Sequence, residues 1–362
     1  MFKPSDLSFD KEQLKSISEA IFEKGFTNPN IQDFHSVVTG IVANKQIAIM
    51  GRLNGLLGKN SGECKPGENI KTFNTVEKEW MPAIFSSKIP ICGKDFENSL
   101  IAYSQKVGIN LNDLTGTDFA LWCEELVAEI LLKSILVQAY FSDKDIDIQT
   151  NAGVLTNDLD EDGDTYVAYF NKIDGLWKQL FAIAVADPKR LTLGLDTKNA
   201  ELTFDDQAFN DTDTTNLVVT KLFRKMRTGA DLRLRESDDL CYLVTQSVAD
   251  QYETELIFAN VAYDVTKVMD GISMLTHGST TVYAFAFWDR AINEFFATAT
   301  AWDLPHRAIL TTKTNLSIGC ESESALAEFD IWYSKDDDTT YIKTGYKKDA
   351  KVLQDHLVQV AY

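Results

Sequence analysis

The sequence is poor in the residues that most enzyme chemistry needs. Histidine occurs four times in 362 residues, as His35, His277, His306 and His356. None lies in H-E-x-x-H and no two stand at metal-ligand spacing, which excludes a helix-borne zinc motif. Isolated histidines of this kind are expected to be hydrogen-bonded structural residues. The five cysteines, Cys64, Cys92, Cys123, Cys241 and Cys320, are far apart and irregular. Without a C-x-x-C pair, zinc-ribbon and thioredoxin-like readings lose their support. An odd, scattered set reads as free thiols of a protein made in a reducing compartment. The G-x-S-x-G elbow and the G-x-G-x-x-G turn are absent too, so neither a serine-hydrolase nor a dinucleotide site is indicated.

Positive charge is also short, with 35 Lys and Arg against 54 Asp and Glu and a formal net charge of -19. A negative field of that size repels phosphate backbones and anionic lipid, so general nucleic-acid or membrane-surface binding is disfavoured. It keeps a concentrated protein soluble. No stretch approaches 18 uninterrupted apolar residues, and "MFKPSDLSFDKEQ" carries no apolar signal core. Membrane insertion and secretion are therefore not expected.

Apolar material is plentiful, at 44% hydrophobic and 11% aromatic, enough for a sizeable core and, at this length, two lobes. Ser8–Phe26 reads as an amphipathic helix with Leu14, Ile17, Ile21 and Phe22 on one face. Gly51–Asn69 is dense in glycine and lies between the strand-like "KQIAIM" and "IKTFNTVEKEWMPAIFSSKIPI". That pattern predicts a long β-ribbon with a flexible tip, and loops this long are usually functional or disordered. The tip's "GLLGKN" is not a phosphate loop, because Leu53 stands where the first glycine belongs and Asn60 replaces Ser or Thr.

Thr117–Phe141 is the strongest helix signal. Thr117 can cap it, Phe119, Trp122, Leu126, Ile130 and Val137 recur at helical spacing, and no Gly or Pro interrupts it. Helices are also expected in "IDGLWKQLFAIAVAD" and "DTTNLVVTKLFRKM". "DDLCYLVTQSVADQYETEL" should be a buried strand entering a helix, and "VYAFAFWDRAINEFF" a strand entering a short one. From Pro305 onward the pattern is of strands, with "SKDDDTT" as a polar turn and "HLVQVAY" closing the chain. The fold class is α+β.

Three segments hold candidate site residues. "DLDEDGDTYVAYF" places Asp158, Asp160 and Asp162 in alternation before Gly163 and Asp164, as a calcium loop would. The twelfth position is Tyr169 in place of glutamate, and "TYVAYF" favours a strand over a second helix. The loop reads as an acidic turn leading into a strand. No metal or other cofactor is assigned, and Asp158, Asp160, Asp162 and Asp164 remain as candidate ligands. Asp336–Asp338 reads as a solvated tip. "KLFRKMRTGADLRLR", Lys221–Arg235, is the one basic segment, and pairing with acidic surfaces of the same or a neighbouring chain fits it better than nucleic acid.

The element order resembles the major capsid proteins of tailed bacteriophages, with the Hong Kong 97 fold. That order is an N-terminal arm, a glycine-rich ribbon, a long helix, an α/β lobe and a return to strands. "LPHRAILTTKTNLSIG" and "FDIWYSKDDDTTYIKTGYKKDAKVLQDHLVQVAY" are similar to the endings of such proteins in phages and prophages of Bacteroidetes-type hosts. The resemblance implies an N-terminal arm over 1–36 and an extended loop over 45–91 that lies on a neighbouring subunit. It implies a peripheral domain over 37–44, 92–170 and 301–346, with Thr117–Phe141 as its spine. The axial domain would take 171–300 and 347–362. Arg52, Lys59, Asn60 and Lys65 on the ribbon, and Arg224, Arg227, Arg233 and Arg235 in the basic segment, become candidates for contact between subunits.

The function implied is structural and not enzymatic. Copies would form hexamers and pentamers of an icosahedral head enclosing double-stranded DNA, which they touch only weakly and without specificity. Portal, scaffold or decoration proteins would be partners, no membrane would be involved, and assembly would occur in the host bacterial cytoplasm. Self-catalysed crosslinking has no motif here. Two alternatives stand beside this: an encapsulin-like compartment shell, and a metal-dependent hydrolase using Asp158–Asp164 or Asp336–Asp338.

Overall fold

Two sheets and a separate two-stranded ribbon organise the chain. The computed structural model describes residues 34–41, 46–50, 75–91, 133–146, 167–269, 271–320, 330–336 and 339–362. The expected helix Ser8–Phe26, the ribbon tip Gly51–Asn69 and the first part of Thr117–Phe141 lie outside the described residues. So do Cys64, Cys92, Cys123 and the acidic turn Asp158–Asp164.

The first sheet has five strands: β1 (Ser36–Val38), β4 (Ala83–Ile91), β10 (Leu316–Cys320), β11 (Asp330–Ser334) and β12 (Thr339–Val352). The 14-residue β12 is its axis, antiparallel to β4, β10 and β11. The second has six strands in the order β13-β9-β5-β8-β7-β6. These are β5 (Leu240–Thr245), β6 (Thr266–Met269), β7 (Ile272–His277), β8 (Thr280–Phe285), β9 (Ala308–Thr312) and β13 (Val358–Ala361). Its β5–β8 pair is parallel and the other pairs are antiparallel.

The uniform apolar run at β5 follows from burial on both faces. Cys241 and Leu243 join a core that reaches the first sheet, the helix over 133–141 and the helices Leu176–Ala186 and Ala286–Phe295. Tyr242 and Val244 point the other way, onto the helices Val218–Gly229 and Gln246–Phe258. A strand covered on both sides shows no polar alternation.

Among the described residues most expected elements appear where the periodicity placed them, with two differences. "TYVAYF" ends in a helical turn, Val167–Phe170, instead of a strand. Its Phe170 is buried with its ring 5.2 Å from both Phe295 and Phe296, so tertiary packing overrides strand propensity. The helical stretch at "DTTNLVVTKLFRKM" breaks into Asp211–Asn216 and Val218–Gly229 at Leu217, whose φ is 51°. Among the C-terminal strands, β9 belongs to the six-stranded sheet, and Lys347–Val352 to the five-stranded one.

Candidate functional site

The described part of the ribbon is anchored at its foot. β2 (Gln46–Met50) and β3 (Thr75–Glu79) pair antiparallel with each other and with neither larger sheet. At their foot Lys78 Nζ donates to the Val352 carbonyl at 2.6 Å and to Asp355 Oδ1 at 2.5 Å. Met81 N donates to Asp349 Oδ2 at 2.8 Å. Between them Trp80 is buried, and Gly319 makes room for it: a Cβ there would meet Trp80 Cζ3 and Ile41 Cδ1 at 2.8 Å. Among the described residues the two strands pair only with each other, and an isolated two-stranded hairpin is marginal in water.

The basic segment occupies one edge of the second lobe. Arg224 is exposed and Arg227 half-buried on Val218–Gly229, while Arg233 is half-buried and Arg235 exposed on Leu232–Arg235. Arg52, Lys59, Asn60 and Lys65 lie outside the described residues. Val218–Gly229 begins after left-handed Leu217, so its first N–H groups need outside acceptors. Glu255 supplies them from the neighbouring helix, accepting from Val219 N and Thr220 N at 2.8 Å and from Thr220 Oγ1 at 2.6 Å.

Asp289 does the same for Gln246–Phe258. Its carboxylate accepts from Gln246 N at 2.6 Å and Ser247 N at 3.1 Å, and burial raises its pKa to about 6. Ser247 Oγ also lies 2.9 Å from His306 Nδ1, whose Nε2 is 2.8 Å from the Gln207 carbonyl. This resembles a nucleophile and its base, yet burial lowers the His306 pKa to about 4, far too low for a base at neutral pH. The group works as a buried brace. His35, within 2.9 Å of Tyr140 Oη, and His277, within 2.9 Å of Tyr252 Oη, likewise serve packing.

Two buried basic side chains tie the lobes internally. Arg307 donates to the Leu304 and Asp303 carbonyls and lies over the rings of Phe141, Trp177 and Phe181. Burial lowers its pKa to about 10. Lys348 is fully buried between the Phe85 and Tyr346 rings and donates to the Ile135 carbonyl at 2.8 Å. Neither these nor the helix-capping carboxylates carry a sequence signal, because each is one charge within a mixed polar stretch.

Among the described residues no group of three or more His, Cys, Asp or Glu could hold a metal ion. Asp158, Asp160, Asp162 and Asp164 lie outside them, and Asp336 is an exposed turn residue. Cys241 and Cys320 are buried free thiols. No helix among the described residues is long and apolar enough to cross a membrane.

No protein-family model matches the sequence, and no curated protein is similar to it. Solved structures are similar over nearly the whole chain. One, the satellite phage P4 procapsid including the size determination (Sid) protein, is 10% identical with a TM-score of 0.49, covering 96% of this chain and 97% of that one. Another, from Gordonia phage Cozz, is 6% identical with a TM-score of 0.49, covering 91% and 85%. The virus-like particle from Pyrococcus furiosus is 7% identical with a TM-score of 0.44, covering 97% and 98%. The matches are phage capsids and related shells. Every one of these TM-scores is below 0.5.

Proposed function

We propose that the chain is a structural shell subunit: a major capsid protein whose copies form hexamers and pentamers of an icosahedral phage head around double-stranded DNA. The observation that carries this reading is the ribbon. Two strands leave a well-packed body, firmly rooted at Lys78, Trp80 and Met81, and among the described residues they pair only with each other. A segment built that way gains its order from a surface outside the subunit, and a neighbouring copy supplies one.

In this reading the five-stranded sheet with the 133–141 helix is the peripheral domain, and the six-stranded sheet with its four covering helices is the axial domain. The arm over 1–36 and the part of the 45–91 loop beyond its foot at Lys78–Met81 reach neighbours, while Ala83–Ile91 stays in the five-stranded sheet. Arg52, Lys59, Asn60 and Lys65 act from the loop, and Arg224, Arg227, Arg233 and Arg235 from the axial edge. The net charge of -19 keeps the unassembled subunit soluble and limits contact with packaged DNA to weak, non-specific touching. Portal, scaffold and decoration proteins are the other partners, the shell assembles in the host bacterial cytoplasm, and no catalysis is required.

Replacing Gly51–Asn69 by a short linker is expected to leave the thermal transition of the subunit within a few degrees while abolishing stable shells in electron micrographs. Intact shells from that variant would remove the arm-exchange role of the ribbon.

A further inference from the structure

Two short crossings join the sheets directly. Lys313–Asn315 leads from β9 of the six-stranded sheet into β10 of the five-stranded one, and Leu353–Leu357 leads from β12 back into β13. Asn315 is buried and ties the two crossings together. Its carbonyl accepts from Leu353 N at 2.9 Å and its Oδ1 from Gln354 N at 2.7 Å. Its Nδ2 donates to the Gln354 and Leu357 carbonyls, both at 3.1 Å. Thr311 Oγ1 on β9 donates to the same Leu357 carbonyl at 2.8 Å. One asparagine thus satisfies backbone groups that a passage between two sheets leaves without ladder partners. The ribbon reaches this seam through Lys78. Trp80 and Met81 hold the root to β10 and β12, at Gly319 and Asp349. Lys78 Nζ instead bonds the Val352 carbonyl, where β12 ends, and Asp355 inside the second crossing. The Asp355 side chain is 53% exposed, so that ion pair is weak by itself. The Val352 carbonyl is the firmer hold, being partly buried and bonded by an ammonium.

We infer that Lys78 is a positioning residue that couples the direction of the ribbon to the seam between the sheets. A pull on the ribbon reaches the Leu353–Leu357 crossing through its ammonium, and a loosened crossing frees the ribbon in turn. Such coupling is reciprocal, so it can be read from either end. The ribbon amplifies what happens at its foot: a tilt of about 10° there moves the far end of the five-residue β3 by about 3 Å. Lysine suits the task because its ammonium carries several donors on a flexible stem, and here they span a carbonyl and a carboxylate three residues apart. That a neighbouring copy is what pulls on the ribbon rests on the shell reading. The coupling itself belongs to the single subunit.

The test is amide hydrogen exchange on the full chain, read at Gln46–Met50 in the ribbon and at Leu353–Leu357 in the crossing. Neither segment contains a substituted residue. Lys78→Met keeps the stem and removes the donors. Both segments should then exchange about tenfold faster, with the thermal midpoint within a few degrees of wild type. Lys78→Arg, whose fork can reach the same two acceptors, should return both segments to near the wild-type rate. Asn315→Ala loosens the seam from the far side and should speed exchange at Gln46–Met50 too, which a purely local foot would not transmit. Should Asn315→Ala fail to fold, Thr311→Val removes one hydroxyl, keeps the shape and is expected to act in the same direction. The coupling is overturned if Lys78→Met frees the ribbon and leaves the crossing unchanged, or if the seam variants free the crossing and leave the ribbon unchanged. A wild-type Gln46–Met50 that already exchanges at the free-peptide rate would also overturn it, because the ribbon would have no set direction. Coupled exchange without closed particles in electron micrographs would keep this inference and remove the shell. Closed particles without coupled exchange would do the reverse.

Discussion

Gly175→Ala is expected to destabilise the subunit by about 3 kcal/mol, read as a fall in the urea midpoint at unchanged slope. Gly175 precedes the helix Leu176–Ala186 with an ordinary extended backbone, so the demand for glycine is spatial and not torsional. A Cβ there would lie 2.7 Å from the Tyr140 carbonyl oxygen and 2.8 Å from Ser142 N and O. All three are backbone atoms at the end of the 133–141 helix, and none can swing aside as a side chain would. The same position donates its N–H to the Ser142 carbonyl at 2.7 Å, so moving it away breaks that bond. The helix it starts also carries Gln179, which donates to Ala350 O and accepts from Val352 N on β12. A displaced Gly175 therefore loosens the joint between the lobes. An alanine variant as stable as wild type would mean that this close approach does not exist.

Acid should destabilise the subunit well before its carboxylates are fully titrated. Burial holds the His35 pKa at about 3 and the His306 pKa at about 4, against 6.5 for a free imidazole. Because these folded-state values are depressed, the unfolded chain takes up protons first as pH falls below 6.5. The stability tied to neutral histidine is therefore whole above that pH and drains away toward pH 3–4. Asp289 opposes them: burial raises its pKa to about 6, so above that pH the fold carries its charge at a cost, and protonation relieves that cost on acidification. Two histidines outweigh one aspartate, and the net loss between pH 7 and pH 4.5 is on the order of 3 kcal/mol. Urea midpoints measured across that range should fall. His306→Asn should flatten the fall, whereas Asp289→Asn should steepen it. A midpoint that holds level from pH 7 to 4.5 would contradict this balance.

Much of the architecture was legible because burial writes a period into the chain. "LCYLV" reads as a strand covered on both faces, and Trp177, Leu180 and Ile183 mark one side of a helix. What could not be read was pairing at long range. β4 meets β12, and β1 meets β10, across more than 200 residues, and nothing local distinguishes β9, which joins one sheet, from β10, which joins the other. Phe170 shows propensity losing to packing. Lys348 sits in "YKKDAKV", where alternation alone does not say which lysine is buried. Of the candidate site, the ribbon and the basic segment were visible as composition, glycine-rich in one case and cationic in the other. Their geometry was not, since the Trp80–Gly319 seat and the exposure of Arg224 and Arg235 depend on how distant segments pack.

The central claim is that this chain builds shells from copies of itself. Negative-stain electron microscopy of the purified protein, with sedimentation on the same sample, tests it most directly. Closed particles or capsomer-sized rings of uniform diameter are the predicted result. A monodisperse monomer whose Gly51–Asn69 ribbon is ordered and resists protease would contradict it, because the ribbon would then need no neighbour.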